Sequence, residues 1–265
     1  MEKGLKIFSY LPNPRVWKAE IAAKIAGIPV EVIGDKPNEI PNWLWDTEPK
    51  KLSDADKKKL KKFERIGKRG FSSALYKTDD FIKLIPFGTV PAAFSPDGKI
   101  GIFESNSILR AIARQDDINN LYGKDSFEAS RVDSFLDSGL VFSREHQEYL
   151  FGLKDMNEAL YQRMKSAYEF FLNGIEVTLQ STKFIGFDHL TITDISFFCD
   201  FSQFLREGHY ENDLKEKGFN LISENFFSDF PKTYDHLMKL SELKEFSSVI
   251  GTYLNWYKRK LQNPN

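Results

Sequence analysis

The opening segment of this chain leaves little choice of fold. Leu5 to Tyr10 is an apolar, β-prone run, and Leu11-Pro12-Asn13-Pro14 cuts it off. Proline fixes φ and lacks an amide N–H, so Pro14 suits the first turn of a helix, where that N–H would have no partner. Trp17, Ile21, Ala22 and Ile25 then recur at helical spacing, and Gly27 ends the helix. Pro29 to Ile33 is a second β-prone run. A strand, a helix and a strand in so short a stretch make a βαβ unit, with parallel strands and a right-handed crossover.

Two more short strands are expected further on, at Val90 to Phe94 and Ile100 to Phe103, with the turn Ser95-Pro96-Asp97-Gly98 between them. Glu104 to Ala113 follows as a helix. Pro91 cannot donate a backbone hydrogen bond, so the residue before it keeps an edge free for another chain. A cis Val90–Pro91 bond would turn the Val90 backbone outward. Ser105 falls where the helix amides converge, a seat for a carboxylate.

The order βαβ then ββα, with Ile85-Pro86-Phe87-Gly88-Thr89-Val90-Pro91 and Phe103-Glu104-Ser105-Asn106 in sequence, resembles the glutathione transferase superfamily. The resemblance implies an α/β thioredoxin-like N-terminal domain over residues 1–113, a polar linker at 114–124 and an all-α helical bundle over 125–265. It also implies a glutathione site, with glutathione as co-substrate. Val90 would pair main chain to main chain with the cysteinyl part, and Pro91 would fix the turn. Glu104 and Ser105 would hold the γ-glutamyl amine and carboxylate. Tyr10-Leu11-Pro12-Asn13-Pro14-Arg15 and Lys18-Ala19-Glu20-Ile21-Ala22-Ala23 are similar, within the superfamily, to the transferase-like domain of the elongation factor 1 gamma family.

The C-terminal half reads as helices near Ser126–Gly152, Met156–Ser181, Thr193–Arg206 and Phe226–Leu240, with a last one from Leu243. Phe184 to Ser196 resembles the segment that opens the buried central helix in this superfamily. Thr191 and Asp194 form a capping box there, a structural role. Cys199, the single cysteine among 265 residues, lies on an apolar helix and reads as a buried thiol. One cysteine allows no internal disulfide, which suits a reducing compartment.

Residues 35–83 are too long for an ordinary connection between two strands. Ser53 and Asp56 make a capping box, and Leu60, Phe63 and Ile66 suggest a narrow apolar helical stripe. The stretch is basic (Lys57, Lys58, Lys59, Lys61, Lys62, Arg65, Lys68 and Arg69) and reads either as a solvated face or as a contact for phosphates or an acidic partner. Trp43 and Trp45 would anchor it to the body or wall a pocket.

In this superfamily a Tyr, Ser or Cys after the first strand stabilises the glutathione thiolate, the nucleophilic form of the thiol. Asn13 falls at the position of the Ser or Cys. Its amide can donate one hydrogen bond to a sulfur anion, the helix that starts at Pro14 adds partial positive charge, and Arg15 adds a full one. Asn13 is equally a turn residue between two prolines, and Ser9 and Tyr10 are nearby hydroxyls. A pocket for a small electrophile is expected between the domains, along the helix with Phe142, Arg144, His146 and Tyr149.

The expected function is conjugation of glutathione to that electrophile, with a non-catalytic association module and a glutathione-dependent lyase or peroxidase as alternatives. A homodimer is expected by resemblance. A net charge of -1 argues against a nucleic-acid partner. The four histidines have no metal-ligand spacing, no apolar run is long enough for a bilayer, and the N-terminus lacks an apolar leader, so a cytoplasmic protein is expected.

Overall fold

The computed structural model describes residues 3–67 and 70–262, with side chains through 258. Met1, Glu2, and the Lys68 and Arg69 of the basic run lie outside the described residues. The chain forms two compact units, Met1–Asp116 and Asp117–Asn265.

The first unit starts with β1 (Leu5–Tyr10), α1 (Pro14–Ala26) and β2 (Val30–Asp35). β1 and β2 are parallel in one unbroken register, from Leu5 opposite Val30 to Tyr10 opposite Asp35. Pro14 opens α1, and Gly27 closes it with φ of 66°. Next come β3 (Trp43–Trp45), β4 (Lys50–Lys51), α2 (Asp54–Lys59), β5 (Glu64–Ile66), β6 (Ala74–Lys77) and α3 (Asp79–Leu84). The unit closes with β7 (Ala92–Phe94), β8 (Gly101–Phe103) and α4 (Ser105–Ala113). The main sheet runs β2-β1-β7-β8, so the thioredoxin-like arrangement expected from the sequence is present.

The long insertion is folded, though not in the way its periodicity suggests. It builds a second four-stranded sheet in the order β4-β3-β6-β5. The Ser53–Asp56 capping box is there, but α2 ends at Lys59 and buries none of its residues. Of the expected stripe only Leu60 packs, against Leu44, Leu52 and Tyr76. Ile66 stands on β5, 78% exposed. Six residues make too short a helix to hold a stripe, and strand pairing with β6 takes over beyond it.

Trp45 anchors the insertion. It is buried among Phe8, Ile40, Leu75, Phe81, Ile85, Ala92 and Phe94. Its ring meets Phe8, Phe71 and Phe81 edge-on at 5.6, 6.0 and 5.8 Å, an arrangement that matches ring edges to ring faces. Trp43 is half-buried, lies 6.0 Å from Phe8, and aims its indole N–H at Asp35 Oδ2.

The second unit is helical: α5 (Ser126–Phe151), α6 (Glu158–Leu179), α7 (Ile192–Phe204), α8 (Glu211–Glu216), α9 (Phe226–Asp229), α10 (Pro231–Glu242), α11 (Lys244–Ile250) and α12 (Asn255–Gln262). The helix expected from Phe226 is split at Phe230, because Pro231 cannot continue it and starts α10 instead. α7 is buried along nearly its whole length, including Cys199. The Thr191–Asp194 capping box opens it. Asp194 also accepts from the Ile185 amide at 2.9 Å and bonds His236 Nε2 at 2.8 Å, so one carboxylate ties α7 to the preceding loop and to α10.

Glu207 is a second fully buried carboxylate. It accepts from the Tyr149 hydroxyl at 2.7 Å, from the Ser223 amide and hydroxyl at 2.7 and 2.6 Å, and from the Ile222 amide at 3.2 Å. Burial pushes its carboxyl above the usual range, and these four bonds pull it back only partly. The residues expected to line an electrophile pocket belong largely to this unit's core. Phe142 packs with Phe171 and Phe204, Tyr149 is spent on Glu207, His146 is fully buried, and Arg144 alone of the four is exposed. No helix among the described residues is long and apolar enough to cross a membrane, and none of their His, Cys, Asp and Glu side chains cluster as a metal site.

Candidate functional site

The register of the first sheet decides which residues meet. β7 and β8 pair antiparallel, Ala92 opposite Phe103. Val90 and Pro91 precede the ladder at Ala92, and Glu104 and Ser105 follow it at Phe103, so the two segments leave the sheet at the same end. β1 pairs antiparallel with β7 on the other side, Phe8 opposite Ala92. The C-terminal ends of β1 and β8 and the N-terminal end of β7 therefore share one end of the sheet. At that end α1 and α4 begin, and the buried Lys18 of α1 donates to Asn106 of α4 at 2.9 Å.

Val90 and Pro91 lie outside the ladder, which starts at Ala92, and the peptide bond between them is cis. Glu104 is exposed and holds φ of 66° and ψ of 126°, a conformation L-residues rarely keep. Its carbonyl takes the Ser107 and Ile108 amides, which fixes it as the N-cap of α4. Such outliers cluster at ligand clamps, where the surroundings hold a strained residue in place. Ser105 is the first residue of α4 and half-buried, and among the described residues neither its amide nor its hydroxyl has a partner. A helix start whose cap side chain makes no bond turns positive potential toward an anion.

The neighbouring start of α1 is closed. Asn13 is fully buried. Its Oδ1 accepts from the Arg15 amide at 3.0 Å, and its Nδ2 donates to Ser9 Oγ at 3.0 Å. Its carbonyl takes the Val16 and Trp17 amides. Pro14 has no N–H, so every amide of that first turn already has an acceptor. Of the two readings open for Asn13, the capping turn residue is the one this geometry fills. Arg15 is half-buried at the second position of the helix.

One side chain at this end carried no sequence signal. Lys77, at the close of β6, donates to the Gly88 carbonyl at 2.7 Å, two residues before Val90. Its sequence setting, Ala74-Leu75-Tyr76-Lys77, is that of any strand ending in a surface lysine.

No family model matches the chain. Its sequence is similar to elongation factor 1-gamma of Prunus avium, 27% identical over 184 residues, covering 66% of this chain and 39% of that protein. It is similar to probable elongation factor 1-gamma 1 of Arabidopsis thaliana, 21% identical over 257 residues, covering 94% of this chain and 49% of that protein. The chain thus spans less than half the length of these relatives. Its structure is similar to a glutathione S-transferase from Methylobacillus flagellatus kt with GSH bound, with a TM-score of 0.63, 13% identity and coverage of 92% and 98% of the two chains. Glutathione transferase F2 from Populus trichocarpa gives a TM-score of 0.63 at 17% identity, covering 95% and 99%. A mixed α/β unit followed by a helical one, in the glutathione transferase fold, is the architecture of this chain, and elongation factor 1-gamma proteins are its relatives in sequence.

Proposed function

We propose that the open end of the first sheet binds glutathione and that the chain conjugates it to electrophiles only slowly. The observation that supports this reading is the β7–β8 register: with Ala92 opposite Phe103, the Val90-Pro91 and Glu104-Ser105 segments leave the sheet at one end. Val90 offers the backbone edge for the cysteinyl part of the ligand. Ser105, with the start of α4, takes the γ-glutamyl carboxylate, and Glu104 takes the amine. The bound GSH of the Methylobacillus neighbour supports the ligand class.

Slow chemistry follows from the start of α1. A conjugating site must stabilise a thiolate. The Asn13 amide is bonded to Ser9, and the first-turn amides are bonded to Asn13. The helix dipole and the Arg15 charge are what remain to lower the thiol pKa.

Calorimetric titration of glutathione tests the binding, with a parallel assay of conjugation to a generic aryl halide. Saturable binding that weakens at least roughly tenfold in Ser105→Ala, with turnover close to the uncatalysed rate, is the expected result. No binding by the wild type overturns the site. Rapid turnover abolished by Asn13→Ala overturns the slow-enzyme part and restores Asn13 as the thiolate donor.

The likeness to elongation factor 1-gamma favours a second reading, in which the fold serves protein association in the cytoplasm, with or without glutathione. A homodimer belongs to both readings, and sedimentation of the purified chain tests it.

A further inference from the structure

We propose that Lys77 is a positioning residue that holds the Val90 backbone ready for its ligand, so that the inserted sheet sets the affinity of the site. The inference rests on the reading of Val90 as the ligand-pairing edge.

Lys77 ends β6 and lies opposite Trp45 of β3 in a parallel pair. Its ammonium sits 4.5 Å from the centre of the Trp45 ring and donates at 2.7 Å to the Gly88 carbonyl. Trp45 is fixed in the core, so the lysine has a rigid base. The group is half-buried, and burial, with the nearby Arg65 adding to it, lowers its pKa. A hydrogen bond from a partly desolvated ammonium is stronger than one made in open water.

The loop between α3 and β7 is shaped to receive this bond. The Gly88 amide closes a turn onto the Ile85 carbonyl at 2.8 Å, which leaves the Gly88 carbonyl for Lys77. Gly88 has φ of 58°, and a methyl group there would stand 3.2 Å from both Lys77 Nζ and Ile82 Cδ1. The position thus suits glycine for its backbone and for its neighbour alike. Downstream, the chain is fixed again at Ala92 by the ladder. Thr89, Val90 and Pro91 are the only residues between the two anchors. A ligand that pairs with Val90 then meets an edge already ordered, and the entropy of ordering is not charged to binding.

The test uses the full chain as wild type, Lys77→Met and Lys77→Arg. Methionine keeps an apolar stem on Trp45 and removes the donor, and arginine keeps a donor. Hydrogen–deuterium exchange of the peptide over residues 86–90, thermal melting and glutathione titration are read for each. Lys77→Met should speed exchange in that peptide alone and weaken glutathione roughly five- to thirty-fold, with melting little changed. Lys77→Arg should recover most of both. Gly88→Ala, which drives a methyl at the ammonium, is the second variant should Lys77→Met not fold, and it should give the same local pattern. Unchanged exchange and affinity in the variants overturn the proposal, as does faster exchange spread through β1 and β2. If the wild type binds no glutathione, the functional reading of the site falls, while the exchange data still decide whether Lys77 orders the loop.

Discussion

Asn13 and Ser9 form a closed pair four residues apart, the Asn13 amide donating to the Ser9 hydroxyl at 3.0 Å where β1 hands over to α1. The pair ties the end of the strand to the cap of the helix, and Asn13 is fully buried while it does so. Asn13→Ala removes both the cap and the donor to Ser9, and should cost about 2 kcal/mol in urea unfolding. Glutathione affinity should change less than roughly twofold, because the Asn13 amide and carbonyl groups are already bonded within the protein. A tenfold loss of affinity without loss of stability would mean that Asn13 touches the ligand.

Glu104 should show opposite signs in stability and binding. Its φ of 66° is held against the ordinary preference of an L-residue. Glu104→Gly relieves that strain and should raise stability by about 1 kcal/mol. The same change removes the carboxylate assigned to the ligand amine and should weaken glutathione measurably. A variant both less stable and unchanged in binding would contradict the assignment.

Glu207 predicts a pH dependence. Its carboxyl is raised above the usual range by burial, so the folded state binds a proton more tightly than the unfolded chain does. Stability from this group is therefore greatest below the unfolded pKa, near 4.5, and is lost as pH rises through the raised folded value. Glu207→Gln cannot titrate. The stability of wild type relative to Glu207→Gln should fall as pH is raised from 4 toward neutrality, by about 1.4 kcal/mol for each unit by which the pKa is raised. A difference independent of pH in urea unfolding would show that folding leaves the Glu207 pKa unshifted.

Much of the first sheet was legible because its signals are local. β1 coincides with the Leu5–Tyr10 run, and Pro14 and Gly27 bracket α1 as their backbone chemistry demands. The Val90-Pro91 and Glu104-Ser105 segments were legible as motifs, but their meeting at one sheet end is a property of strand register, which no short window carries. The inserted sheet escaped notice for a related reason. Its strands are two to four residues long, and Trp45 is held from outside its own strand, by Phe8 and Phe81. Leu60, Phe63 and Ile66 have helical spacing by accident of a chain that turns from α2 into β5. Asn13 shows the same limit at the site. Its residue type and place suit both a cap and a thiolate donor, and only the position of Ser9 Oγ separates them.

The burial of Trp45 has a consequence for anyone wishing to engineer this protein. A designer aligning it with a minimal thioredoxin-like domain would be tempted to excise the segment between β2 and β7 as an ornament. Excision would take away Ile40, Trp45, Leu75 and Phe81 and leave Phe8 and Phe94 facing water. Loss of a single buried aromatic ring from a core commonly costs about 3–5 kcal/mol, a large share of what holds a domain of this size folded. What looks in an alignment like an appendage is the floor on which the first strand rests, and a shortened chain would need a new floor before it needed anything else.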